Sequence, residues 1–212
     1  MFEIEKITLQ KNLTYKGVVI LKYKIEYPKI VSSNYFYGIT QFNQYNRLKA
    51  LNSKIYAETD LFNMAKKQYD YNFSNGYPIM VYELIQNYNI TFNEDLIISL
   101  YSDEYIYSGG AHGSTIRSSQ NWNIKIGSQF NLSFIYGTDC SYLLFILREI
   151  IRQINSEIEN GSNQYFENYC ELVLDNFKLN QFYLTEKELV IFFQSYDIAP
   201  YSSGIPTFTI PR

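Results

Sequence analysis

Residues 14–27 alternate in polarity. Leu21, Tyr23, Ile25 and Tyr27 fall on one parity, and Lys22, Lys24 and Glu26 on the other. A period of two is the pattern of a strand with one buried face. Residues 2–10 alternate more weakly, with Phe2 and Ile4 set against Glu3 and Glu5. The two predict a hairpin that turns through Lys11-Asn12-Leu13 and is ended by Pro28, which cannot donate to a ladder. After a connector over 32–41 the period changes. Phe42, Tyr45, Leu48, Leu51, Ile55, Phe62 and Tyr69 recur at mostly three- and four-residue spacing. That predicts a helix over 42–71, with these residues inward and Lys49, Lys54, Lys66 and Lys67 in water. Asn75-Gly76-Tyr77-Pro78 breaks it.

Strands follow over 80–92 and 96–107, joined by Asn93-Glu94-Asp95. In the second, apolar residues occur on both parities, which predicts a central place in a sheet. The loop 107–113 leads to a return strand over 115–126, where Trp122, Ile124 and Ile126 share a face, and Gly127-Ser128 turns it. Thr138 or Asp139 caps a second helix to residue 159, with Leu143, Ile146, Leu147, Ile150, Ile154 and Ile158 inward and Asn160-Gly161 as its stop. A shorter helix is predicted over 164–174, with Tyr165, Phe166, Tyr169 and Val173 inward. A hairpin pairs 181–184 with 189–194 through Thr185-Glu186-Lys187-Glu188, and a short strand spans 207–210. This order predicts an α+β fold of antiparallel sheets packed with a few helices. Two intertwined halves are expected, residues 1–95 and 96–212.

Composition narrows the function classes. The chain has 212 residues, 46% of them hydrophobic and 18% charged, which is globular rather than disordered. A net charge of −3 gives no basic excess for a phosphate backbone, so no nucleic-acid partner is expected. No apolar run approaches the roughly 18 residues of a membrane span. The start, Met1-Phe2-Glu3-Ile4-Glu5-Lys6, has no signal-peptide pattern, so the chain as written reads as soluble and cytoplasmic. Aromatics stand out, with 22 Tyr and 15 Phe. Tyrosine suits sugar or peptide recognition. The plain alternative is an AT-rich genome, since Asn, Ile and Lys are plentiful as well. Cys140 and Cys170 sit in apolar helical patterns and read as small buried thiols.

Chemistry concentrates at Tyr107-Ser108-Gly109-Gly110-Ala111-His112-Gly113, which holds the one histidine of the chain. As a general base, His112 would need an orienting carboxylate and a nucleophile. Ser108 is adjacent, but the surrounding sequence is not the Gly-x-Ser-x-Gly of a nucleophile elbow. Gly109, Gly110 and Gly113 lack the lysine of a phosphate loop and lie between strands. Geometry explains them better: positive φ or close approach of another segment. One histidine with two distant cysteines makes no ordinary zinc site, so neither metal nor cofactor is expected. The segment 196–206 is the second unusual stretch. Tyr196, Pro200, Tyr201 and Pro206 make it stiff, suited either to binding with aromatics or to covering a core.

Two motifs together carry a resemblance. The first is 107–113 with Asn123-Ile124-Lys125 and Gly127. The second is Phe182-Tyr183-Leu184-Thr185 with Tyr196-Asp197-Ile198-Ala199-Pro200-Tyr201 and Gly204-Ile205-Pro206. They resemble the C-terminal domain of unknown function in the lysozyme-sensing anti-sigma factor RsiV family. Residues 1–95 would correspond to its N-terminal companion domain, also found in PdaC peptidoglycan deacetylases. The resemblance implies an extracytoplasmic α+β module with no catalysis of its own. It also implies a protein partner such as lysozyme, or a cell-wall glycan. No stretch reads as a transmembrane or sigma-binding segment, so anti-sigma activity is not expected. The candidate binding residues are Ser108, Gly109, Gly110, His112, Tyr196, Pro200 and Tyr201. The alternatives are a His112-dependent hydrolase or esterase of a cell-envelope substrate, and a soluble protein that merely keeps the fold.

Overall fold

A computed structural model describes residues 1–33, 36–137, 139 and 141–211. It is an α+β structure with a six-stranded, mostly antiparallel sheet and a separate three-stranded antiparallel sheet. The larger sheet holds β1 (Glu3–Tyr15), β2 (Val18–Val31), β3 (Tyr82–Glu94), β4 (Ile97–Tyr107), β5 (Ser114–Asn123) and β6 (Ser128–Gln129), in that order. The smaller sheet is β7 (Phe182–Leu184), β8 (Glu188–Phe192) and β9 (Thr207–Pro211). Helices α1 (Tyr37–Tyr56) and α2 (Phe62–Asn75) are joined by a π-helical stretch, Ala57–Leu61, and carry the chain from β2 to β3. Because that crossover returns the chain in the same direction, β2 and β3 pair in parallel from Leu21↔Tyr82 to Ile25↔Gln86. The remaining helices are α3 (Ser133–Tyr136), α4 (Ser141–Glu159) and α5 (Tyr169–Asn176).

The first hairpin corrects the sequence reading. Its turn is Lys16-Gly17, with φ of 49° and 81°, not Lys11-Asn12-Leu13. A two-residue turn with both positions left-handed matches the strand twist, and glycine takes the second without strain. Pro28 does not end β2 but pairs with Lys6 inside it. The Asn43 side chain accepts from the Ile30 N–H at 2.8 Å and donates to the Ile30 carbonyl at 3.0 Å. Ile30 therefore bonds away from β1, and Pro28, two residues before it, turns the same edge outward. Its missing N–H costs the β1 ladder nothing.

The long helical stretch also departs from expectation. It starts at Tyr37, five residues early, because Gly38 seats the helix start on the Ile124 backbone. A Cβ there would lie 2.1 Å from the Ile124 carbonyl oxygen. The buried positions are Gly38, Phe42, Asn46, Ala50, Ala57, Leu61, Ala65, Tyr69 and Asn72. Tyr45, Leu48 and Ile55, expected inward, are exposed. Lys49, expected in water, is half-buried. Gly76, at φ 71°, ends α2 as expected, its N–H bonding Asn72 O.

Contacts divide the chain into two compact units, each built from discontinuous stretches. The first is Met1–Asn89, Ser102–Ile116 and Ile124–Gly127. The second is Ile90–Tyr101, Arg117–Asn123 and Ser128–Arg212. The first unit's core holds Ile20, Leu21, Tyr23, Ile25 and Leu84 of the sheet against the helical stretch. The second unit's core joins Ile146, Ile150 and Ile154 of α4 to Val173 of α5 and to Phe182, Leu189, Ile191, Phe208 and Ile210. Asp139 caps α4, accepting from the Ser141 N–H at 3.0 Å and holding the Ser141 hydroxyl at 2.9 Å. Thr138, the other candidate cap, and Cys140 lie outside the described residues. The predicted helix over 164–174 begins only at Tyr169. Its inward side is Tyr169, Leu172, Val173 and Asn176, which leaves Cys170 as an exposed thiol rather than a buried one.

Candidate recognition sites

In the first unit the loop after β4 is shaped by its glycines. Gly109 and Gly110 have φ of 95° and 90°, the left-handed region that glycine enters without a steric penalty. Gly113 answers to closeness instead, since a Cβ would meet the Tyr105 ring at 2.4 Å and the Ile106 carbonyl oxygen at 2.6 Å. The Tyr107 hydroxyl donates to the Gly110 carbonyl at 3.1 Å and closes the turn. Ser108 and His112 are exposed. The His112 Nδ1 lies 2.9 Å from the Gly113 carbonyl. A carbonyl can only accept, so this bond puts the proton on Nδ1.

A second polar group in this unit was not read from the sequence. The Ser53 hydroxyl on α1 lies 2.7 Å from Glu104 Oε2 and 3.0 Å from the buried Gln86 Oε1. Lys49 stands one helical turn before Ser53. Burial pushes its ammonium pKa down, and the Glu104 carboxylate opposes part of that shift. Inside the first unit, then, an amphipathic helix meets the sheet partly through charge.

In the second unit the segment 196–206 is held from several sides. The Tyr196 N–H donates to Ala199 O at 3.1 Å, and the Gln194 N–H donates to the Asp197 carboxylate at 2.8 Å. Phe166 N–H donates to Ile198 O, and Phe193 N–H to Pro206 O. Ile198 and Ala199 are fully buried. Pro200 leads into a 3-10 turn, Tyr201–Ser203, closed by Ser203 N–H to Pro200 O at 2.9 Å. Over this frame the Tyr196 ring is 58% exposed and lies 5.9 Å from that of Tyr201, tilted by 30°. Tyr196 sits at φ 71°, a left-handed conformation that costs a non-glycine residue roughly 1–2 kcal/mol.

An aromatic platform in the same unit went unseen in the sequence. The Arg117 guanidinium lies 4.0 Å from the centre of the Tyr101 ring and 6.0 Å from that of Phe192. Tyr183 joins the stack, 5.1 Å from Tyr101 and 6.4 Å from Phe192. The Gln194 amide pins the Arg117 backbone, donating to its carbonyl at 2.8 Å and accepting from its N–H at 2.9 Å. The one sequence signal was Arg117 itself, a charge amid neutral residues of a strand. Its partners come from β4, β7, β8 and the stretch after β8, which no local pattern connects.

The candidate residues thus divide. Ser108, Gly109, Gly110 and His112 belong to the first unit, and Tyr196, Pro200 and Tyr201 to the second. Among the described residues no helix is long and apolar enough to cross a membrane. No group of three or more His, Cys, Asp or Glu side chains among them is placed to hold a metal ion.

Residues 17–115 match the family described as deacetylase PdaC, and residues 137–212 match the family described as a protein of unknown function, DUF3298. No curated protein matches the chain. A DUF3298 family member from Bacteroides fragilis has the same fold. Its TM-score is 0.76 at 15% identity, over 99% of this chain and 90% of its own. A DUF3298 family protein from Pseudomonas aeruginosa gives a TM-score of 0.58 at 15% identity, covering 100% of this chain and 91% of its own. At such identity the likeness speaks for the fold alone. Two family matches in tandem and these structural neighbours together support a two-domain protein of the DUF3298/PdaC type.

Proposed function

We propose that the chain is a non-catalytic recognition module that binds a protein, with lysozyme the first to try, or a cell-wall glycan. The observation that carries this reading is Tyr196. A left-handed tyrosine, more than half exposed and set against a second tyrosine, is strained for no gain in core packing. Held by backbone hydrogen bonds, the Asp197 carboxylate and two prolines, the segment presents its rings at little further entropy cost. The sequence resemblance to RsiV-type sensors points to lysozyme, and the PdaC name points to peptidoglycan.

Calorimetric titration of the chain with lysozyme and with soluble peptidoglycan fragments tests it. Saturable binding is expected, weakened at least about tenfold in Tyr196→Ala and Tyr201→Ala without loss of fold. No heat with micromolar lysozyme or millimolar glycan would overturn it. The rival reading is a hydrolase using His112, favoured by the Nδ1–H bond to Gly113, which gives the ring a fixed orientation. Ester or amide hydrolysis of a peptidoglycan fragment that disappears in His112→Ala would replace the binding-module reading with that one.

A further inference from the structure

The second unit contains a pocket that shares no residue with the tyrosine pair. Phe92, Ile97, Phe130, Phe134, Ile135 and Leu184 wall it, and Asp95 stands among them. Its volume is about 280 Å³, just under the range of small-ligand pockets, roughly 300–1,000 Å³. That is room for one large side chain. The walls are fixed. The Leu184 N–H donates to the buried Ser99 hydroxyl at 2.8 Å, and the Phe130 N–H to the Asn121 carbonyl at 2.8 Å. The Phe130 and Phe134 rings lie 4.5 Å apart, yet Phe134 remains 51% exposed. A preformed apolar hollow with an aromatic lip left in water favours an apolar occupant.

Charge says what should flank that occupant. Asp95 and Leu96 form the β3–β4 turn with φ of 49° and 62°, which fixes the place of the Asp95 backbone. The Asp95 side chain is exposed and makes no ion pair or hydrogen bond with any described residue. Glu94 beside it is exposed as well. An anionic rim repels acidic flanks and anionic lipid surfaces and favours a lysine or arginine.

We propose that this pocket docks a partner polypeptide through one aromatic or branched apolar side chain with a basic residue next to it. The reading is independent of the tyrosine pair, and failure to bind lysozyme or glycan leaves it standing.

The test uses the full chain and three short blocked peptides, with Lys-Phe-Lys, Glu-Phe-Glu or Lys-Gly-Lys at the centre. Methyl NMR signals of Ile97, Ile135 and Leu184 report the pocket. The Lys-Phe-Lys peptide should shift them saturably at millimolar concentration. The Glu-Phe-Glu peptide should bind at least about fivefold more weakly, and that gap should narrow at high salt. Asp95→Asn should also narrow it, while Phe134→Ala, a change at an exposed ring, should weaken both phenylalanine peptides. Equal binding of the two phenylalanine peptides, or equal shifts from Lys-Gly-Lys, would overturn the proposal. So would no shift from any of the three.

Discussion

The two long helical stretches contribute to their cores in opposite ways. The run from α1 to α2 turns small and polar residues inward, among them Gly38, Asn46, Ala50, Ala57 and Ala65, and leaves Leu48 and Ile55 about 60% exposed. Helix α4 buries Ile146, Ile150 and Ile154 completely. The first helix is held by nearness: its start rests on the Ile124 backbone, and Asn43 and Ser53 reach strand groups directly. The second is held by volume. The apolar content of a helix is therefore a poor guide to what it stabilises. A close helix is sensitive to enlargement, and a thick one to truncation.

Five substitutions sharpen or break that contrast. Ile150→Ala should cost about 2–5 kcal/mol in urea unfolding, while Leu48→Ala should stay within about 0.5. Equal losses at the two sites would end the distinction. Gly38→Ala should cost about 1–3 kcal/mol or more, because the new methyl meets backbone that cannot step aside. An unchanged midpoint there would mean that α1 is not seated as described. Asn43→Ala leaves the Ile30 N–H and carbonyl without their partner and should cost about 1–3 kcal/mol. A small effect that depends on pH belongs to Glu149 on α4. Hydrogen bonds from Arg152 and Gln153 pull its pKa from 4.5 to about 2. A lowered folded-state value stabilises the protein above about pH 4.5, and that contribution fades as pH falls towards 2. Arg152 is exposed, so screening keeps the effect small. Thermal melts of Glu149→Gln and the parent at pH 6 and pH 3 should differ more at pH 6.

What could be read in the sequence follows from these same forces. The strands were legible because buried Leu21, Tyr23 and Ile25 alternate with lysines, and α4 because its isoleucines keep helical spacing. The inward side of α1 was legible only at Phe42, since its other buried positions are alanine, asparagine and glycine, which carry almost no hydrophobic signal. The hairpin turn was misplaced because Lys11-Asn12 looks as polar as Lys16-Gly17, although Gly17 carried the turn signal, being able to take the left-handed second position. At the candidate sites the need for Gly109 and Gly110 could be anticipated from local chemistry, and so could the stiffness around Pro200. The Arg117 platform and the apolar pocket could not, because each is assembled from residues far apart in the chain.

The seat of Gly38 on Ile124 has a consequence during synthesis. Strands β3, β4 and β5 each supply residues to both units, so neither unit is one uninterrupted stretch. A nascent chain that has reached residue 115 holds both helices of the first unit but not Ile124–Gly127, and the end of α1 that Ile124 covers is still bare. Ribosomes add roughly 5–20 residues per second, so the stretch from Gly38 to Ile124 leaves that end waiting about 4–17 seconds for its cover. The part of the protein made first is thus finished by residues made later, and a fragment cut at residue 115 would carry that exposed helix start permanently.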